Sequence, residues 1–293
     1  MKRTPPVKKI QSKKSVKPKS KRSEKGTFGK ISVFALMVLF LAFAIGVLYQ
    51  YRNGVLYYFG FKSNVNSNEL TDEERKLEDI RIFEVLSRHD TKVAGFDVSE
   101  YQGNIAWEKI DKIEDDFPLA FVFIRATAGN DRPDLRFEEN WKAAKEHYFI
   151  RGAYHYYRPN ENSIAQADNF IKTVKLRKGD LPPVLDIEKL PKNQSIDSLK
   201  VGLRRWLNRV EKHYKVKPII YSGESYYTDF LREEFKGEYP FWIANYNLFV
   251  ENIKKDWLIW QFTEKAQIYG IKGLVDVNVF NGNKEDLKAI CMR

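Results

Sequence analysis

Two acidic residues stand one apart at the end of an apolar run, Leu181-Pro182-Pro183-Val184-Leu185-Asp186-Ile187-Glu188. The two prolines impose an extended entry, and Val184 and Leu185 begin a strand. Side chains alternate faces along a strand, so Asp186 and Glu188 aim the same way, with Cα atoms roughly 6.5 Å apart. Like charges held that close push one pKa upward, which is how a carboxyl keeps a proton to donate. The plainer reading is that acidic residues end a strand where it meets water. The pair therefore needs support from the rest of the chain.

That support depends on the elements that position it. From residue 93 onward, strand and helix patterns alternate. Strands are expected at 93–98, 119–127, 152–157, 184–188 and 218–222. Helices are expected at 105–113, 137–149, 164–176, 196–214 and 226–235. Three further strands follow at 241–246, 257–262 and 274–280, then a closing helix at 284–292. Five β/α units plus three strands predict an α/β fold, a TIM-like irregular barrel; a doubly wound open sheet is the alternative.

In a β/α barrel, chemistry sits at the carboxyl ends of the strands. Asp97 ends the first expected strand, Asp186 and Glu188 the fourth, and Asp276 lies in the eighth. Each alone could be a cap or a surface charge. Four convergent ones, with no basic cluster nearby in sequence, are harder to explain as structure. Tyr154, Tyr156, Tyr221, Trp242, Tyr246 and Trp260 fall on the same strands. Aromatic faces beside carboxylates suit a sugar, whose C–H face packs on rings while its hydroxyls take hydrogen bonds.

Charge excludes other classes. The net charge is +11, but residues 1–30 hold twelve basic residues and one acidic. The remaining chain is balanced, so no nucleic-acid-binding surface is indicated. One cysteine, Cys291, precludes an internal disulfide. The four histidines show no metal spacing, and no nucleotide-binding glycine motif is present, so neither metal nor cofactor is expected. Residues 1–30, rich in Lys, Ser and Pro, read as a disordered cytoplasmic tail. Residues 31–49 carry no charge, and 31–50 read as an uncleaved transmembrane signal-anchor, oriented by the basic block before it. The body then lies outside the cytoplasm. Residues 51–91 form a linker with a helix at 71–88, introduced by a Thr71/Glu74 capping box and carrying Leu77, Ile80, Phe83 and Leu86 at a spacing of three. It could be a stalk, a dimer seam or a flap.

The stretch Gly95-Phe96-Asp97-Val98-Ser99-Glu100-Tyr101-Gln102-Gly103, followed by Ile105-Ala106-Trp107, resembles the opening of family 25 glycoside hydrolases, the Chalaropsis-type lysozymes. Blocks at 121–127, 152–156, 183–188, 219–222, 242–244, 260–262 and 276–280 follow in the family's order, covering roughly residues 92–283. The resemblance implies an N-acetylmuramidase that cuts the β-1,4 bond from N-acetylmuramic acid to N-acetylglucosamine in peptidoglycan, and the same five-plus-three barrel. It implies Glu188 as general acid/base, Asp186 assisting, and Asp97 and Asp276 completing the site. Tyr154, Tyr156, Tyr221, Trp242, Tyr246 and Gln261 become the expected substrate contacts. Where the family often has Thr-Glu-Gly, this chain has Thr127-Ala128-Gly129, which removes one polar group from the rim. The rival expectations are a peptidoglycan-binding module without catalysis and a hydrolase of another N-acetylated glycan.

Overall fold

The computed structural model describes residues 35–45, 70–114 and 116–293. The chain divides into two units, Met1–Gln50 and Tyr51–Arg293. In the first, residues 35–45 are helical, with Leu36, Leu39, Phe40 and Phe43 exposed. The basic tail, and residues 31–34 and 46–50 of the expected anchor, lie outside the described residues. Among the described residues, no helix is long and apolar enough to cross a membrane.

The described residues of the second unit hold ten strands: β1 (Val93–Val98), β2 (Lys112–Ile113), β3 (Phe117–Ala128), β4 (Arg132–Pro133), β5 (Ile150–Tyr156), β6 (Val184–Asp186), β7 (Ile219–Gly223), β8 (Phe241–Ala244), β9 (Ile259–Ala266) and β10 (Val275–Phe280). Neighbours run β1-β10-β9-β8-β7-β6-β5-β3, and β1 also pairs with β3, closing an eight-stranded barrel and excluding the open sheet. Only β10 among the eight runs antiparallel to both its neighbours. Its first residues therefore stand level with the last residues of the other strands, and Asp276 comes to lie opposite Asp97.

Alternation sorts the side chains into two cores. Val93, Phe121, Phe123, Val184, Ile219, Tyr221, Trp242, Ile259 and Phe280 fill the barrel. Phe96, Val122, Ile124, Leu185, Ile187, Ile220, Ile243 and Trp260 face outward beneath the helices. Two glycines make room inside. A Cβ on Gly95 would lie 2.5 Å from the Phe121 carbonyl oxygen, and one on Gly152 would lie 2.3 Å from the Phe123 ring.

Helices cover the outer wall: α1 (Asp72–Arg88), α2 (Phe137–Glu146), α3 (Ser163–Thr173), α4 (Ile196–Tyr214), the short α5 (Glu224–Tyr226) and α6 (Arg232–Phe235), and α7 (Lys284–Ala289). In α4, Leu199, Leu203, Trp206, Leu207 and Val210 form one buried stripe, started by a Ser195 cap. Burying each such side chain is worth about 1.5–3 kcal/mol. The helix expected at 105–113 does not form. A 3-10 turn at Trp107–Lys109 and the short β2 replace it. The Ala106 amide donates to the Gly270 carbonyl, and Trp107 packs against Phe96 and Phe149, so the segment is used as a plug.

The helix α1 packs on the body, which decides among stalk, seam and flap. The Thr71/Glu74 capping box forms. Of the spacing-three stripe only Leu86 is buried; Leu77 and Ile80 are partly buried and Phe83 is half exposed, while Glu78, Arg81, Ile82 and Val85 complete the buried face. Arg81 donates to the Val250 carbonyl at 2.8 Å and lies over the Trp260 ring. Glu78 accepts from the Thr263 hydroxyl, and Arg75 donates to Gln267. The last strands lack covering helices of their own, and α1 supplies that cover from the N-terminal side, beginning beside Gln267 at the mouth end of β9.

Candidate active site

The carboxyl ends of the strands enclose a cavity of about 240 Å³. Asp97, Asp186, Glu188 and Asp276 all line it, as do Tyr154, Tyr156, Tyr221, Trp242 and Gln261. The residues singled out from sequence thus converge, with two corrections. Tyr246 stands behind the wall and donates its hydroxyl to Gln261 Oε1 at 2.5 Å. Trp260 points outward, into the core under α1, because Ile259 and Gln261 on either side of it take the inward phase.

Strand β6 is shorter than expected and ends at Asp186, so Glu188 lies just beyond it. The chain nevertheless stays in register. The Ile187 amide donates to the Tyr221 carbonyl at 3.0 Å, and the Ser222 hydroxyl donates to the Ile187 carbonyl at 2.6 Å. Ile187 therefore faces out while Asp186 and Glu188 both face the cavity. Asp186 is 6% exposed, and its Oδ1 has no protein partner. Glu188 reaches solvent at the rim.

Burial raises both pKa values. Asp186 is pushed well above the ordinary carboxylate range by burial and then by the charges of Glu188 and Asp97, with Arg125 opposing. Glu188 is raised chiefly by burial, with Lys189 and a Tyr221 hydrogen bond opposing and Glu264 adding. Within the pair, the like-charge push is felt by one member more than the other. It falls mainly on Asp186, because Asp186 is the more buried member and ionises at greater cost.

A second pair sits beside the first. Asp97, 5% exposed, is raised to about 6 by burial, against hydrogen bonds from Asn278, Gln261 and Asp276. Asn278 donates to Asp97 Oδ2 at 2.8 Å and Gln261 at 2.9 Å. The Asp276 carboxyl is held well above its usual range by burial and by the Asp97 charge, so it carries the proton of their mutual hydrogen bond. The donors are themselves fixed. Trp242 Nε1 donates to Asn278 Oδ1 at 2.8 Å, and the Tyr221 hydroxyl donates to Gln261 Oε1 at 2.7 Å. Trp242 stacks on Phe123 with ring centroids 4.7 Å apart. The floor is thus rigid and the carboxylates are preorganised.

Sequence reasoning missed Asn278, Arg125, Tyr101 and Gln102. Asn278 stands two residues from Asp276, and Arg125 two from the inward Phe123, so strand phase pointed to both. Tyr101 and Gln102 lie on a turn after β1, where phase gives no direction. The cavity offers acid–base groups, hydrogen-bond donors and ring faces. Among the described residues no group of His, Cys, Asp or Glu could hold a metal ion.

The chain matches the model of glycosyl hydrolases family 25 over residues 96–271. It is 32% identical over 212 residues to Lysozyme M1 of Streptomyces globisporus, covering 68% of this chain and 71% of that protein. It is 41% identical over 199 residues to the uncharacterized protein YegX of Escherichia coli (strain K12), covering 67% and 72%. The bacterial lysozyme from Streptomyces coelicolor superposes with a TM-score of 0.62 at 29% identity, covering 68% of this chain and 97% of that one. A family 25 glycosyl hydrolase from Bacillus anthracis gives 0.61 at 29%, covering 69% and 95%. With Asp97, Asp186 and Glu188 of its acidic mouth lying inside the matched segment, the chain belongs to family 25 of the glycosyl hydrolases and is a glycosidase.

Proposed function

We propose that the protein is a muramidase that hydrolyses the β-1,4 bond between N-acetylmuramic acid and N-acetylglucosamine in peptidoglycan. The observation that carries this reading is the convergence of Asp97, Asp186, Glu188 and Asp276 on one rigid cavity at the barrel mouth. The named lysozyme among its relatives supports the substrate class.

Glu188, raised by burial and open to solvent, donates its proton to the glycosidic oxygen as the C–O bond breaks. The carbonyl oxygen of the sugar's own 2-acetamido group attacks the anomeric carbon, forming a cyclic oxazolinium ion. Asp186 offers its unpartnered Oδ1 to the acetamido N–H and so orients that group for attack. Water then gives a proton to Glu188 and attacks the same carbon, so configuration is retained. Both carboxylates come from one strand end, which disfavours direct attack by Asp186 on the opposite ring face. Asp97 and Asp276 hold the polar floor.

Residues 31–50 act as a membrane anchor in this reading, leaving the barrel on the extracytoplasmic side. An uncharged run of nineteen residues behind a basic block supports it. An anchored muramidase reaches only nearby wall, which suits remodelling or opening a path for an assembly.

Mass spectrometry of fragments released from purified peptidoglycan tests the reaction. A new muramic acid reducing end is expected, and Glu188→Gln should lose at least ~100-fold in rate. Release of glucosamine reducing ends, cleavage of chitin alone, or binding without turnover would each overturn it. Salt-washed membranes should retain the full chain, and its release by salt would overturn the anchor.

A further inference from the structure

The turn after β1 carries an aromatic ring that the reaction above does not use. Tyr101 lines the cavity yet is 75% exposed. Its ring lies over the Arg125 guanidinium, 4.5 Å from the ring centroid. Arg125 is in turn gripped by two carboxylates, Asp134 Oδ2 at 2.8 Å from Nε and Glu100 Oε1 at 3.0 Å from Nη2. These side chains are 10%, 0% and 8% exposed for Arg125, Asp134 and Glu100. Three charges are buried to hold one exposed ring.

The clasp is reciprocal between two loops. The Glu100 amide donates to Asp134 Oδ2 at 3.0 Å, and the Leu135 amide donates to Glu100 Oε2 at 2.9 Å. Arg132 adds an ion pair to Glu100. On the other side, Gln102 accepts from the Ser99 amide at 2.8 Å and donates to the Leu274 carbonyl at 3.4 Å. The turn is therefore pinned to both flanking segments, and the ring has little freedom left to lose on binding. An aromatic face fixed beforehand and open to water suits the C–H face of a sugar, since ordering costs are already met. In the closed barrel β1 lies three strands from β6, so Tyr101 and Glu188 reach the cavity from different strand ends.

We infer that Tyr101 is a stacking platform for a sugar ring beyond the pair flanking the scissile bond, making the enzyme favour long glycan strands over short fragments. The inference rests on the muramidase reading.

The test uses the full-length chain in detergent, with two substrates: long glycan strands stripped of peptide, and a four-sugar fragment of the same polymer. Tyr101→Ala is expected to lower the long-to-short ratio of kcat/KM about tenfold, the loss appearing in KM for the long strands, as one lost ring contact of about 1.4 kcal/mol would give. Tyr101→Trp should keep the ratio within about twofold of wild type, because any flat ring serves. An unchanged ratio in Tyr101→Ala, or a loss carried equally by both substrates in kcat, overturns the platform. Failure of the wild type to cut either substrate would instead refute the muramidase reading. The exposure of Tyr101 means that the substitution does not threaten folding, and an unchanged Tm checks this.

Discussion

Replacing Asp97 with Asn should make the protein more stable at neutral and alkaline pH. Asp97 is buried and its pKa is raised from 3.8 to about 6. That difference corresponds to about 3 kcal/mol spent on keeping the group ionised in the folded state well above pH 6. The sign follows from proton counts. Between pH 4 and 6 the folded chain holds a proton that the unfolded chain has released, so stability falls as pH rises through this window. Below it both states are protonated and nothing is lost. Asn keeps one oxygen to accept from Asn278 and Gln261, so those hydrogen bonds survive. It can also donate to Asp276, which frees that carboxyl from sharing a proton. Thermal unfolding of the two full-length proteins at pH 4 and pH 8 is the assay. At pH 8, Asp97→Asn should gain up to about 3 kcal/mol, roughly 6–12 °C in Tm for a domain of this size. At pH 4 the gain should be close to zero. A less stable variant at pH 8, or one shifted equally at both pH values, would refute the argument that burial of this charge strains the fold.

Other outcomes follow from the same geometry. Because Glu188 must be protonated to act and its pKa is raised above 4.5, kcat should fall with rising pH through that pKa; Glu188→Gln should abolish this limb and leave at most about 1% of the rate. Gly95→Ala should destabilise the barrel by at least about 1–3 kcal/mol in urea unfolding, since the new Cβ meets backbone at 2.5 Å and cannot displace it cheaply. Arg81→Ala should cost about 1.5–3 kcal/mol with kcat unaltered, because Arg81 ties α1 to the Val250 carbonyl and neither residue lines the cavity. A kcat loss there would tie α1 to catalysis.

Strand phase made much of this protein legible in advance. Alternation alone placed Asp186 and Glu188 on one face, and the order of β/α units followed by three strands foretold the barrel. Val184, Leu185, Asp186 and Ile187 are all buried, and alternation decides which side of the barrel wall each one faces. Phase failed where the backbone leaves the strand. Tyr101 and the Glu100–Asp134 clasp sit on turns, so nothing local aims them. The helix expected at 105–113 failed because its apolar residues serve as a plug on the barrel wall, a use that only packing defines. The spacing-three stripe on α1 misled because the helix buries charged residues that find partners, such as Thr263 and Val250, more than 160 residues away.

What the sequence determined by itself was the inventory: four carboxylates, the rings around them and the strands that carry them. The tertiary structure decided how they act on one another. Running β10 antiparallel brings Asp276 against Asp97, and the Asn278 and Gln261 donors that converge on Asp97 leave the shared proton on Asp276. Desolvation is a property of the surroundings, so the greater pKa rise falls on Asp186 rather than Glu188, which no spacing of residues along the chain could specify.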